Sequence, residues 1–429
     1  MNYSKDLARR RRWFRFNYSL IIMSVLVIIT SLVISDWKPS TPAYYATHAT
    51  DYLKAQQKLL GQPNLLSNSL WVRGGLPNAS LGESQNPSGS KTYRLNAELD
   101  SASGQTASIE TSPLAVAPST TYVYRDIYLS SVPNYLEVEE FAANRTSIGR
   151  RSLDRYPTAT STRQYAAHFT TSPATAFVVV RRIIDQSGRL SIENQKLVQS
   201  PYGGFKQGMV TITFDGGFES TQQAAQELQT SGLAASYYVT ADKIGKEGFM
   251  GTEQLQRLLA AGNDIGSNGM AGRDLSGLSM AQKDDEIAGS RELIANKGLG
   301  AADLFAAPYG KMDGEDIMLS RRYYRSQRNL EDQAINYPYT FDPFAIKAVV
   351  VDYKTDPAYI ANLVKYTQQQ GGWLVLVYHG IGDESSENPY QVSLDRFKSH
   401  LNAIVSSSVP VMPMSTALQE AENFFKDMP

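Results

Sequence analysis

The 429-residue chain contains no cysteine and only four histidines, His48, His168, His379 and His400. Disulfide frameworks, thiolate zinc sites and cysteine nucleophiles are therefore excluded together, and imidazole chemistry is confined to a few positions. A chain without thiols is compatible with either side of a membrane. Strong charge is also lacking, since 41 Lys+Arg stand against 42 Asp+Glu, and charged residues make up 19%. This balance argues against a nucleic-acid partner. The 42% of hydrophobic residues is enough for real cores, and the length implies two or three domains rather than one small module.

What charge there is lies unevenly. Residues 1–17 carry Lys5, Arg9, Arg10, Arg11, Arg12 and Arg15 against Asp6. The following run, Tyr18 to Ser35, has no charged residue. As a helix it would extend roughly 27 Å, close to a bilayer's hydrocarbon thickness. Trp13, Phe14 and Phe16 flank one end and Trp37 the other, as interfacial aromatic belts do. We read 1–17 as a basic cytoplasmic segment and 18–35 as a single transmembrane anchor, with the bulk of the chain extracytoplasmic. The competing reading, a cleaved signal peptide, requires a small-x-small site that Ser-Asp-Trp-Lys-Pro does not supply.

Residues 36–62 read as a stalk: a Pro/Ser/Thr/Tyr stretch followed by the short helical pattern DYLKAQQKLLG. From 63 to 203, short β-rich runs such as TYVYRDIYLS and TAFVVVRRII alternate with Gly/Ser/Pro/Asn connectors, which predicts an antiparallel β-sandwich. Its opening and closing runs, NLLSNSLWVRGG and RLSIENQKLV, resemble the end strands of jelly-roll carbohydrate-binding modules. On that resemblance Tyr122, Tyr124, Tyr128 and Tyr135 are candidates for stacking on sugar rings. Alternation in a sandwich requires several of them to point into the core instead.

At residue 207 the pattern changes to repeated strand–helix units that continue to 425. The fold class predicted is α/β, a distorted (β/α) barrel preceded by the sandwich and the anchor, with functional loops at the strand C-terminal ends. The residues at those ends are Asp215, Asn268, Pro308, Tyr309 and His379.

The order of these motifs resembles the NodB-homology polysaccharide deacetylases, carbohydrate esterases that remove acetyl groups from glycans. A Thr-Phe-Asp-Asp-Gly motif appears as Thr213-Phe214-Asp215-Gly216-Gly217; a Gly-x-x-Ile-Gly-x segment leading to His-x-x-x-His appears as GNDIGSNGMAGRDL; an Arg/Ala-x-Pro-Tyr-Gly run ends in Pro308-Tyr309-Gly310; and an apolar strand ends in His379. A fourth motif, Asp followed by Trp, has at best Asp352. The family uses zinc or a similar divalent metal held by one carboxylate and two imidazoles. The resemblance assigns Asp215 the general-base position and His379 the general-acid position, with Pro308, Tyr309 and Trp373 as candidate substrate contacts. The three ligand positions fall on Gly216, Asn268 and Gly272, so no metal cofactor is predicted.

Without a metal, the pKa of the attacking water returns from about 7 toward its bulk-water value, a loss on the order of 10 kcal/mol or more. General acid–base catalysis, typically about 10²- to 10⁴-fold, does not recover it. The expectation is a degenerate deacetylase that binds a polysaccharide or other glycan, with a protein partner in glycan processing as a further candidate. Two alternatives stand beside it. One is an active hydrolase rearranged around Asp215 and His379, with Asp264 or Asp274 holding a hard cation; the other is an adhesion or scaffold ectodomain. Asp264 and Asp274 read more simply as a strand-edge residue and a turn residue, His168 and His400 as structural, and Arg325 and Arg328 as an exposed basic run. Restoring Asp, His and His at 216, 268 and 272 is expected to create metal affinity if the frame is intact.

Overall fold

A computed structural model describes residues 54, 57–59, 61–66, 71–75, 79–85, 91–100, 104–156, 158–201, 203–331 and 333–427. The segments read from the sequence as a basic cytoplasmic stretch (1–17) and a transmembrane anchor (18–35), and most of the expected stalk (36–62), fall outside these residues. Among the described residues no helix is long and apolar enough to cross a membrane. Thr47–Pro429 form one compact unit.

The first part of that unit is the sandwich. One sheet runs in the order Trp71–Gly75, Ala107–Thr111, Phe177–Ile184, Asn134–Phe141 and Ser147–Tyr156; the facing sheet runs Ala79–Gln85, Lys91–Ala97, Gly188–Gln199, Thr121–Ser130 and Ala159–Thr170. Neighbouring strands in both are antiparallel. Alternation decides the fate of the candidate sugar platforms. Tyr122, Tyr124 and Tyr128 share one face of their strand and are all buried in the sandwich core with Leu95, Leu136, Val180 and Ile192. They are unavailable to a ligand, and only Tyr135 is partly exposed. The same core encloses an ion pair in which Arg182 Nε donates to Asp126 at 2.8 Å, both side chains being fully buried. Tyr124 also donates to Asp126 at 2.8 Å.

The second part is built on seven parallel strands: β1 (Met209–Gly216), β2 (Ser236–Val239), β3 (Asp264–Ser267), β4 (Leu304–Ala306), β5 (Ser326–Arg328), β6 (Val349–Val350) and β7 (Trp373–Tyr378), in the sheet order β5-β4-β3-β2-β1-β7-β6. The sheet curves into a half-barrel, and an isolated parallel bridge joins Arg328, at the end of the edge strand β5, to Ile346 in the segment before β6. The segment VPVMPM, residues 409–414, adds no strand of its own and contributes a single bridge between Val411 and Val210. Period-2 alternation along β1 sorts its side chains. Val210, Ile212 and Phe214 pack under the outer helices, which leaves Thr213 and Asp215 facing the barrel interior. Each fully buried aliphatic or aromatic side chain contributes roughly 1.5–3 kcal/mol.

The outer helices carry their own stop and start signals. Ser279 caps the helix that opens at Met280, with Gln282 reaching back to it; Asp313 caps Gly314–Tyr323, and Asp356 precedes the Pro at the start of Pro357–Gln370. Met280–Asp284 and Ser290–Asn296 are joined by a π-helical turn, Asp285–Gly289.

Sandwich and half-barrel are fixed together by polar contacts. Lys347 donates to the Tyr156 hydroxyl at 2.9 Å, Arg163 pairs with Glu331 at 3.3 Å, and the Tyr366 hydroxyl donates to the His168 carbonyl at 3.2 Å. The His168 ring lies 4.7 Å from that of Tyr337, and neither ring nitrogen has a hydrogen-bond partner. Burial, with a smaller contribution from Arg151, pushes its pKa down to about 3 from 6.5. The unfolded chain then binds the extra proton first, so this residue removes stability as pH falls from about 6.5 toward 3. At pH 4.5 the loss should be on the order of 2–3 kcal/mol. His168→Phe should flatten that part of the stability profile in urea titrations between pH 7 and 4.5; an unchanged slope would contradict the assignment.

Candidate functional site

The site forms where the strand C-termini converge. Strand register sets Phe214 of β1 opposite Tyr378 of β7, so the residues that follow, Asp215 and His379, sit side by side. On the other flank Asp215 is opposite Tyr238 of β2. Asn268 follows β3, Pro308 and Tyr309 follow β4, and Arg328 ends β5.

Asp215 is 4% exposed and its carboxylate accepts from a guanidinium nitrogen of Arg328. Arg328, read from the sequence as part of an exposed basic run, is 1% exposed and reaches across the half-barrel interior, its guanidinium carbon 5.1 Å from the centroid of the Tyr238 ring. Its Nε and second terminal nitrogen make no hydrogen bond. A short strand leaving a helix end gives no period long enough to tell inside from outside, so the sequence hides this residue.

His379 is half-buried, its Nδ1 lacks a hydrogen-bond partner, and its ring lies 5.2 Å from that of Tyr390. Gly380–Ile381 pairs with Gln391–Val392 and thereby folds the Tyr390 loop back onto it. Burial lowers the His379 pKa; Asp215 opposes that shift and Arg328 adds to it.

The residues at the resemblance-implied ligand positions do not fit a zinc ion. Gly216 has φ 92°, and a Cβ built there would lie 2.6 Å from the Phe218 ring. Gly272 has φ 71°, again in the region that disfavours a side chain. Asn268 commits its amide nitrogen to the backbone, donating to the Ala306 carbonyl at 3.1 Å. The loop from 269 to 273 is held by Glu286 from the π-helical turn, a fully buried carboxylate that accepts from the Ala271 and Gly272 amides at 3.2 Å each and from Arg273 Nε at 2.5 Å. Glu286 was not legible from the sequence, where it reads as one polar residue among KDDE. Among the described residues no three His, Asp or Glu side chains converge as a metal-holding group.

Of the remaining candidates Trp373 falls at the wrong place, whereas Asp264, Asp274 and His400 hold the structural positions expected of them. Trp373 is fully buried at the start of β7, the end away from Asp215, where its indole N–H donates to Thr211 at 2.9 Å. It cannot touch a substrate at the strand C-termini. Asp264 likewise opens β3 and accepts from Ser236 at 2.9 Å and from the Ser415 amide and hydroxyl at 2.8 and 2.6 Å, tying down the last helix. Asp274 closes a turn by accepting from the Ser276 hydroxyl and, at 2.9 Å, from the Ser276 amide, and these two bonds lower its pKa. Asp352 closes a turn of its own, accepting from the Thr355 hydroxyl at 2.8 Å. His400 is buried between the Tyr378 hydroxyl and the Thr355 carbonyl, and Arg325 pairs with Glu422 at 3.5 Å. Pro308 is buried, whereas Tyr309 beside it is 71% exposed.

A parallel α/β half-barrel with an acid, an imidazole and a Pro-Tyr-Gly turn at its strand ends defines the class. Residues 202–323 match the family described as polysaccharide deacetylase. The chain is similar to a putative polysaccharide deacetylase, YxkH of Bacillus subtilis (strain 168), at 26% identity over 114 residues, which cover 26% of this chain and 41% of that protein. The chain thus spans less than half the length of this curated relative. Among solved structures it is similar to the peptidoglycan deacetylase PdaC from Bacillus subtilis (16% identity, 51% of this chain and 93% of that one, TM-score 0.36). It is also similar to a family 4 carbohydrate esterase from Streptomyces lividans (18% identity, 48% and 91%, TM-score 0.34).

Proposed function

We propose that this polysaccharide deacetylase-like chain is a membrane-anchored, extracytoplasmic glycan-binding protein in which metal-dependent deacetylation has been lost. The observation that carries the reading is the buried Asp215–Arg328 ion pair. In the family resemblance Asp215 would serve as base beside a divalent cation. Here a fixed guanidinium already compensates its charge, and two left-handed glycines stand where ligands would be needed. A water at this site has no Lewis acid to lower its pKa, so the rate loss is as large as the sequence implied.

Under this reading Asp215 and His379 shape a polar site at the strand ends rather than cycle protons. The membrane segment would hold the unit at the cell surface, where a cell-wall or extracellular polysaccharide is the ligand and a glycan-processing protein a suitable partner. The test is isothermal titration of the full chain with chitohexaose, paired with an acetate-release assay with and without zinc. Saturable binding with no acetate above the uncatalysed background is expected in both conditions. Tightly bound zinc with turnover would end the proposal in favour of an active, rearranged hydrolase; protein partners without glycan affinity would favour an adhesion or scaffold role.

A further inference from the structure

A cleft of about 480 Å³ lies at the junction of sandwich and half-barrel. This is within the range of small-ligand sites. Its sandwich wall includes Thr158 and Arg163, and its barrel wall Tyr309, Lys311, Glu331 and Tyr359. Tyr309 and Tyr359 are 71% and 49% exposed, among the largest apolar surfaces left uncovered on the described residues. Two rings facing one concave space are unusual for residues whose simplest role is packing.

The backbone of Tyr309 adds an independent indication. Its φ is 57° and ψ 7°, a conformation that bulky residues avoid. Such a conformation costs on the order of 1–3 kcal/mol and persists only where the surroundings impose it. They do so here: Gly310 N donates to the Ala307 carbonyl at 2.9 Å, and Leu330 N to the Gly310 carbonyl at 3.0 Å. The outcome is a ring held outward over the cleft, while Pro308, one residue earlier, packs toward the loop at Gly269. One turn therefore borders both the Asp215 site and the cleft.

The walls are set in advance. Arg163 from the sandwich and Glu331 from the barrel are 3.3 Å apart, so the floor of the cleft is a cross-domain ion pair, and Lys311 is held at 3.5 Å by Asp274 on the rim. Flat faces beside a fixed carboxylate and guanidinium match a pyranose chain, whose C–H faces stack on aromatic rings and whose hydroxyls both donate and accept hydrogen bonds.

We propose that this cleft is a second glycan-binding site, in which Tyr309 and Tyr359 carry successive sugar rings of a polysaccharide and the sandwich supplies the opposite wall. The inference rests on the glycan reading above and adds where the polymer is gripped. It also gives the sandwich a role that its buried tyrosines cannot supply.

The test titrates chitohexaose into the full chain and into Tyr309→Gly, Tyr359→Ala, the double variant and Thr158→Trp. Glycine at 309 keeps the left-handed turn, and tryptophan at 158 fills the cleft from the sandwich side. Each tyrosine change should weaken binding about five- to tenfold, and the double change at least about 30-fold. Thr158→Trp should weaken it at least about tenfold, with unfolding midpoints unchanged. If the parent chain binds and all four variants bind equally well, the cleft is not the site and the glycan reading stands. If the parent chain itself does not bind, the glycan reading fails and takes the cleft with it.

Discussion

Arg328→Met should destabilise the half-barrel by about 3–5 kcal/mol, the range for removing one partner of a buried ion pair. Asp215 would be left 4% exposed without its compensating charge, at the floor of a site walled by Tyr238 and the sheet. The companion substitution Asp215→Asn removes the charge that needs compensation. The double variant Asp215→Asn/Arg328→Met should therefore recover at least half of the loss. Urea unfolding followed by far-ultraviolet circular dichroism reads all four corners of this cycle, and the coupling between the two positions is the quantity of interest. Additive effects would show that the pair is not a unit and would remove the observation on which the proposed loss of catalysis rests.

The second large effect concerns the attempt to rebuild a metal site. From the motifs alone, Gly216→Asp, Asn268→His and Gly272→His should together create zinc affinity. The tertiary structure reverses that expectation. At Gly216 a new Cβ meets the Phe218 ring at 2.6 Å on a backbone with φ 92°, and at Gly272 the φ of 71° adds a second penalty. Non-glycine residues in such conformations cost on the order of 1–3 kcal/mol each. Even a tolerated set of side chains would face the Arg328 cation beside Asp215. The triple variant should melt several degrees below the parent chain and take up no zinc in equilibrium dialysis. Stoichiometric zinc in that variant would show that the loop from 269 to 273 and the β1 turn still hold the geometry of a metal cradle, and the proposed reason for inactivity would then be only the missing side chains.

Both expectations turn on residues that the sequence presents very differently. Asp215 is legible because it closes an eight-residue strand whose alternation assigns it to the interior, within a motif of known order. His379 is legible for the same reason at the end of WLVLVY. Trp373, at the other end of that run, shows the limit of such reasoning: a large aromatic suggests a sugar platform, but strand direction places it at the opposite end of the sheet. The tyrosines of Thr121–Ser130 show it again, since alternation requires some to be core without saying which face the second sheet covers. Arg328 and Glu286 are the clearest omissions. One lies on a three-residue strand and the other on a π-helical turn, elements too short or too irregular for a hydrophobic period to form.

Composition and hydrophobic period were enough to indicate that a β-rich module precedes an α/β unit, and motif order gave the latter its resemblance to the polysaccharide deacetylases, with Gly216, Asn268 and Gly272 at the implied ligand positions. These are properties of residue types and local spacing, which the linear chain carries in full. That an arginine distant in sequence neutralises Asp215, that glycines 216 and 272 adopt left-handed backbone, and that Tyr309 faces a cleft shared with the sandwich were decided only on folding. Each depends on which elements meet across the molecule and on the backbone dihedrals that their packing enforces, and neither quantity is written in local spacing.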